Sequence, residues 1–440
     1  MTRKKDTRQI EIDLGLLIDE GLLQGKELYM MGNLPNAADV NSILKQNGMR
    51  LTAIVDNNPA KAGVRDFEGD TYHIIQAGEF LKKDRTGLVL IIFSIRFWRE
   101  MADQIIRAGF TENEDLFILE ALTLDKKIDH INRGCDFCRK LHERYGDDAE
   151  IILFFGPIGD NFLFALYLRE YLEKNDINNT VFLGTSTSTK VVNMFGLKPY
   201  HEVDREMVMS IEFFYMFSKD AQEYIKILQI WEFCFHFNRC RMRFDRRFNF
   251  IDTYRHYVFG LDKDSKPCIP SFDTDREELK GLFAEIGLPK GKTVILAPYA
   301  YSIEQHPKRI FWLSLSEGLR DKGYSIAMNI DPEREENFIP DAKVISFELK
   351  DSVPVLEYAG AFIGMRSGFC DVVSSAKCKK IVLYPETDMS VIDYDRHRND
   401  IEFSSFASMG LADDVIEFEF EDTEDVEYWI KLSERILEVL

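Results

Sequence analysis

A chain of 440 residues is longer than one ordinary core supports, so two or three domains are expected. With 45% hydrophobic and 30% charged residues the composition is that of a folded globular protein, which excludes a disordered or fibrous chain. Lysine and arginine number 55 against 75 aspartate and glutamate, a net charge of −20 that repels a phosphate backbone and argues against nucleic acid as a partner.

No apolar run reaches the roughly 20 residues that span a bilayer, and the opening MTRKKDTRQIEIDLG lacks the apolar stretch of a signal peptide. A cytoplasmic location is expected, extending to peripheral association with the inner face of the membrane. Seven cysteines, an odd number, fit reduced thiols better than a disulfide framework. Cys135 and Cys138 form a lone CDFC pair without a second pair or a histidine at zinc spacing, which favours structural cysteines over a metal site.

From the N-terminus, ELYMMGN, LTAIVDNN and GLVLIIFS read as strands separated by helix-like segments such as AADVNSILKQNG. Residues 1–120 are therefore expected to form a Rossmann-like domain. Gly32 falls at its first turn, and Asp56 falls where an acidic side chain can meet a ribose hydroxyl. GNLPNA is not GxGxxG, because Leu34 and Asn36 stand where glycines would admit a pyrophosphate. A nucleotide site at Gly32 and Asp56 and a unit without cofactor both stay open. VDNNPAKAG is similar to the small Rossmann-like domains that accompany some bacterial sugar-modifying enzymes.

Residues 121–148, charged and helical in pattern, read as a connector. Residues 149–285 open with EIILFFGPIGDNFLFALYLREYLEKN, continue through TVFLGTSTST and contain an aromatic stretch, Phe213 to Phe259. Basic residues gather inside it in RCRMRFDRR, which suits an anionic ligand, a membrane surface or a solvated face. Residues 286–440 contribute TVILAPYAY, YSIAMNI, AKVISFE, GAFIGMRSG and KKIVLYP as strands, then an acidic run, Asp413 to Glu427, and a closing amphipathic helix. The fold class expected is α/β, with three Rossmann-like units.

Three loops carry candidate chemistry. Gly156 and Gly159 lie between a buried strand and a long helix, and Asp160 near that helix start either caps it or offers a general base. Tyr299, Tyr301 and Ser302 follow a later strand, and Lys308 and Arg309 in HPKRIFW supply two cations for a diphosphate. His306 has no neighbouring ligand residues and reads as a turn residue. In FIGMRSGFCDVVSSA, a helix beginning near Gly368 would offer its N-H groups to an anion, with Arg366 and Ser367 as further donors. Asp371 then caps that helix or accepts from a sugar hydroxyl.

Taken in order, GPIGDNFLFALYLREYL, APYAYSIEQHPKRIFWLSLSEGLRDKGYSI and FIGMRSGFCDVVSSAKCKKIVLYP resemble the heptosyltransferase-like glycosyltransferases of glycosyltransferase family 9, over roughly Glu150 to Glu386. The resemblance implies the GT-B architecture, the last two units facing each other with a nucleotide-sugar donor held mainly by the second. It implies metal-independent, inverting transfer with no cofactor beyond the nucleotide-sugar co-substrate. Carried over by position, Asp160 is the base, Lys308 or Arg309 the phosphate partner, and Ser367 with Gly368 the donor-site turn. Arg366, Cys370 and Asp371 depart from the family pattern.

The function expected is transfer of a sugar from a nucleotide-sugar to a cell-surface glycan or its lipid-linked precursor. Two alternatives stand beside it: a non-catalytic nucleotide-sugar sensor, and a dinucleotide-dependent sugar-modifying enzyme using the first block.

Overall fold

A computed structural model describes residues 8–94, 98–119, 124–219, 221, 225–226, 249–272, 274–300, 305–331, 336–386, 401–412 and 414–440. The chain forms two compact units, Met1–Asp129 and His130–Leu440. Three sheets, built almost wholly of parallel strands, bear out the α/β class. The basic stretch Arg239 to Arg247 and residues Tyr301 and Ser302 lie outside the described residues.

In the first unit, β1 (Glu27–Met31), β2 (Leu51–Asp56), β3 (Gly63–Phe67), β4 (Asp70–Gln76), β5 (Leu88–Ile92) and β6 (Leu116–Ile118) lie in the order β3-β4-β2-β1-β5-β6. The central strands β1 and β5 are apolar runs because both their faces are covered. Ile10, Leu14, Val40 and Leu44, from the helices Arg8–Asp19 and Leu34–Gln46, pack on Leu28, Met30, Val89 and Ile91. Ala102 and Ile105, from Trp98–Arg107, pack on the opposite face with Tyr29, Leu90 and Ile92. Strand β3 pairs antiparallel with β4 through a tight turn at Glu68 and Gly69, both with positive φ. This hairpin is not expected from the sequence, because β3 is exposed along most of its length and shows no apolar face.

The expected connector is one helix, Leu124–Tyr145, and the boundary between the units falls inside it. Its later turns pack closely on the helix Arg205–Phe217: a side chain at Gly134 would meet the Ser210 carbonyl at 2.3 Å.

The second unit holds two sheets. Strands β7 (Glu150–Phe154), β8 (Thr180–Gly184), β9 (Tyr200–Glu202) and β10 (Ile225–Lys226) lie in the order β10-β7-β8-β9, all parallel. Strands β11 (Thr293–Ala297), β12 (Ser325–Asn329), β13 (Lys343–Ile345), β14 (Gly360–Met365), β15 (Lys379–Pro385) and β16 (Val415–Phe420) lie in the order β13-β12-β11-β14-β15-β16, also all parallel. That is the doubly wound order whose direction reverses between the first and fourth strands, here β11 and β14, where such sheets leave a crevice at their carboxyl ends.

The closing helix Val426–Val439 packs on Arg309–Asp321, with Leu437 over Gly318 and both Trp312 and Trp429 buried between helix and sheet. Each such side chain contributes about 1.5–3 kcal/mol by leaving water. The two halves of the second unit share a core, since Val372 and Met409 of the later half cluster with Phe162, Leu166 and Phe250 of the earlier one. The Asn249 amide donates to the Ser408 carbonyl at 2.5 Å and adds a polar tie across the same seam.

Candidate active site

Strand β7 is interior to its sheet and delivers the loop Gly156 to Asp160 at its carboxyl end. The helix that follows starts at Ile158 with Pro157 at the N-cap, so Asp160 lies inside the first turn instead of capping it. Unpaired N-H groups and the helix dipole favour a carboxylate there. Asp160 is 8% exposed.

The loop is held by a residue that the sequence did not single out. Asn161 is fully buried; its side-chain oxygen accepts from Gly156 N at 3.2 Å, and its nitrogen donates to Gly156 O at 2.7 Å and to Ser188 Oγ at 3.2 Å. Ser188 in turn donates to the Phe154 carbonyl at 2.8 Å. The available signal was an amide inside the apolar run NFLFAL, since a buried amide must find partners.

The turn after β14 meets this loop directly. A Cβ on Gly159 would stand 2.6 Å from the Gly368 Cα and 2.7 Å from Asp371 Oδ2, and a Cβ on Gly368 would stand 2.5 Å from Gly159 N. The side of Gly368 that lacks a Cβ is thus filled by the first turn of the helix bearing Asp160, while the residue itself stays half-exposed. Ser367 takes the N-cap position of the short helix Gly368–Val372, with its hydroxyl 3.8 Å from the Cys370 thiol.

Arg366, expected to donate to an anion, and Asp371, expected to cap the helix or accept from a sugar hydroxyl, meet each other. The guanidinium is 4% exposed and reaches the carboxylate through two nitrogens, Nη2 to Oδ1 at 2.7 Å and Nη1 to Oδ2 at 3.0 Å. Two further donors go to the Ser404 carbonyl at 3.1 Å and the Ser367 carbonyl at 2.7 Å, and it lies over the Phe406 ring. Burial pushes the Asp371 carboxyl up to about 6; Arg366 opposes this rise and the Asp160 charge adds to it. The network continues through Tyr384, whose hydroxyl donates to Glu417 at 2.6 Å, while Glu417 also accepts from the Phe406 and Ala407 backbone at 2.8 and 3.4 Å.

Lys308 and Arg309 begin the helix after β11, across the reversal point from the Ser367 turn. Lys308 Nζ pairs with Glu424 at 2.5 Å, and that bond raises its proton affinity. Arg309 is exposed, donates to the Phe338 carbonyl at 3.3 Å and stands 3.8 Å from Glu336. His306 is a turn residue, its Nε2 3.1 Å from the Ala300 carbonyl oxygen. The Tyr299 hydroxyl donates to the Glu336 carbonyl at 2.9 Å.

In the first unit Gly32 stands where its own sheet reverses, between β1 and β5, and a Cβ there would meet the Phe93 carbonyl at 2.8 Å. Packing accounts for this glycine. Asp56 accepts from Asn58 N at 2.9 Å and pairs with Lys61 at 3.2 Å. Cys138 sits on the buried face of the connector helix, where burial pushes its thiol up to about 12, and no cluster of metal-ligating side chains occurs among the described residues. A groove of about 790 Å³ lies at the other end of the Asp160 helix, between Leu172, Ile177, Phe195 and the segment Cys268 to Ser271.

No protein family and no curated protein matches the chain by sequence. Among solved structures, a glycosyl transferase family 9 protein from Veillonella parvula overlaps 66% of this chain and 97% of its own, at 13% identity and a TM-score of 0.44. The ADP-heptose lipopolysaccharide heptosyltransferase II of Escherichia coli overlaps 94% and 96%, at 11% identity and a TM-score of 0.33. An Escherichia coli heptosyltransferase with ADP-2-deoxy-2-fluoro heptose overlaps 94% and 100%, at 11% identity and a TM-score of 0.29. Overlaps this loose assign neither an activity nor a residue's role.

Proposed function

We propose that the second unit is a glycosyltransferase that moves a sugar from a nucleotide-sugar to an acceptor hydroxyl. The observation that carries this reading is the contact between Gly159 and Gly368: it sets the Asp160 carboxylate beside the Ser367 turn, at the reversal point between β11 and β14. A donor lying in that crevice would have its anomeric carbon near Asp160 and its diphosphate near the start of the helix that carries Lys308 and Arg309.

In this mechanism Asp160 takes the acceptor's hydroxyl proton as the oxygen attacks the anomeric carbon. The bond to the diphosphate breaks and the nucleoside diphosphate leaves with the electron pair. Lys308, Arg309 and the Ser367–Gly368 backbone would offset the growing charge on that leaving group. A single displacement inverts the anomeric centre, and the acid–base and charge roles are filled by side chains and backbone without a metal. We assign the acceptor to the class of cell-surface glycans or their lipid-linked precursors, reached from the cytoplasm. No described helix is long and apolar enough to cross a membrane.

A second reading, a non-catalytic nucleotide-sugar sensor, is favoured by the mutual neutralisation of Arg366 and Asp371, which leaves fewer cations for a diphosphate. One experiment separates the two. UDP-, GDP-, ADP- and dTDP-hexoses are screened for a rise in melting temperature, and any stabilising sugar nucleotide is then tested for release of nucleoside diphosphate. The enzyme reading expects release that is lost in Asp160→Asn with donor affinity kept. Binding without release, or full release in Asp160→Asn, rejects the mechanism.

A further inference from the structure

The last turns of the helix Ile158–Lys174 line a groove that the transfer mechanism leaves unused. Its volume of about 790 Å³ is that of an ordinary ligand site. One wall, the segment Cys268 to Ser271, is tied to the helix: Cys268 N donates to the Leu166 carbonyl at 2.7 Å, and shortly before it Ser265 Oγ donates to Glu170 at 2.7 Å. The groove is therefore formed before any ligand arrives.

Its lining is of two kinds. Leu172, Ile177 and Phe195 supply half-buried apolar surface, and the Phe195 ring is fixed against Phe162 with 5.5 Å between centroids. Beside them stand the exposed polar side chains of Arg169, Glu173, Asn178 and Asn193. Arg169 Nε already donates to Glu173 at 3.0 Å, so the cation of the lining carries its own counter-charge, which argues against a phosphate or an anionic lipid headgroup. An acyl or isoprenoid chain fits no better, because it would cover amides and a carboxylate without giving them partners. A neutral sugar meets both surfaces. Its C–H face covers apolar and aromatic carbon, while its hydroxyls donate to the carboxylate and exchange hydrogen bonds with the amides.

We propose that this groove binds an uncharged oligosaccharide at a site separate from the transfer centre. The helix rises about 18 Å from Asp160 in its first turn to Leu172, which keeps the groove out of contact with the reacting sugar. The groove thus holds a part of a glycan several units away from the bond being made. That purpose rests on the transferase reading; the binding itself does not.

The test titrates the full chain calorimetrically with maltohexaose, cellohexaose, acetylated chitohexaose and mannohexaose, and with decanoate as an apolar-chain probe. At least one hexasaccharide should bind. Glu173→Ala with Asn193→Ala should weaken that binding about tenfold or more, the scale of two lost hydrogen bonds, and should leave the melting temperature nearly unchanged because both side chains are exposed. No binding of any hexasaccharide, binding that the double variant leaves intact, or binding of decanoate alone overturns the proposal. Asp160→Asn should bind the hexasaccharide as the wild type does; a loss there would put the sugar at the transfer centre and also overturns it. Release of nucleoside diphosphate is scored separately, so a chain that releases none yet binds hexasaccharide through Glu173 and Asn193 keeps the groove and rejects only the transferase.

Discussion

Gly159 and Gly368, far apart in sequence, touch backbone to backbone, so that a methyl group on either would fall within 2.6 Å of the other residue's main chain. Neither contact can be relieved by turning a side chain. Gly159→Ala and Gly368→Ala should each cost about 1–3 kcal/mol, the usual penalty for overpacking. Gly281 lies inside the helix Arg276–Ile286 with nothing near its missing side chain, and Gly281→Ala should stabilise by about 0.5–1 kcal/mol. Urea melts of the three variants check the opposite signs.

Asp371 gives stability a definite dependence on pH. Burial raises its folded value to about 6, so between about pH 4 and pH 6 the folded chain binds the proton that the unfolded chain releases. The contribution of this group is complete below about pH 4 and is lost as pH rises through 6. Replacing the pair by Arg366→Met with Asp371→Leu removes that term, so the double variant should gain on the wild type in melting temperature from pH 4 to pH 6.5. A gap that narrows over this range would mean that Arg366, not burial, governs the carboxyl.

Lys308 is held by Glu424, whose side chain is 89% exposed. An exposed pair of this kind is worth less than about 1 kcal/mol, so Glu424→Gln should leave the melting temperature nearly unchanged. If Lys308 serves the donor diphosphate, freeing it should tighten donor binding about two- to fivefold, and Lys308→Ala should weaken it about tenfold, the scale of one charge-assisted hydrogen bond. Calorimetric titration with the stabilising sugar nucleotide measures both. Equal affinities in all three proteins would reduce Lys308 to a surface ion pair.

Burial separates the cysteines by reactivity, because the thiolate is the reacting species. The thiols of Cys138 and Cys378 are pushed up to about 12 and that of Cys370 to about 11. Cys135 and Cys268 are half-buried, as is Cys378. Brief treatment with iodoacetamide at pH 8 followed by peptide mass spectrometry should label Cys135 and Cys268 well ahead of Cys138, Cys370 and Cys378. Early labelling of Cys370 would show that the Ser367 turn opens.

The strands that read clearly in the sequence are those buried on both faces, where apolar residues run without interruption: β1, β5, β7, β11, β14 and β15. Strand β16 was hidden in an acidic run. Its Ile416, Phe418 and Phe420 alternate with Glu417 and Glu419, but charge outweighed period, and the reason for Glu417, capping the backbone at Phe406 and Ala407, lies in another element. The loops at Asp160, Lys308 and Ser367 were legible because glycine, proline and charge mark a strand-to-helix turn. That Arg366 would pair with Asp371 was not, since the letters RSGFCD fit an open anion site as well as a closed ion pair. The choice is made by burial, which depends on the Gly159 helix arriving from the other half.

The common core of Phe162, Leu166, Val372 and Met409 has a consequence for engineering. The strands β11 to β16 cannot be transplanted as a cassette, because the cut would pass through close-packed side chains. A working chimera would have to carry the Ile158–Lys174 helix with its partner turn, or recut both sides of the seam together.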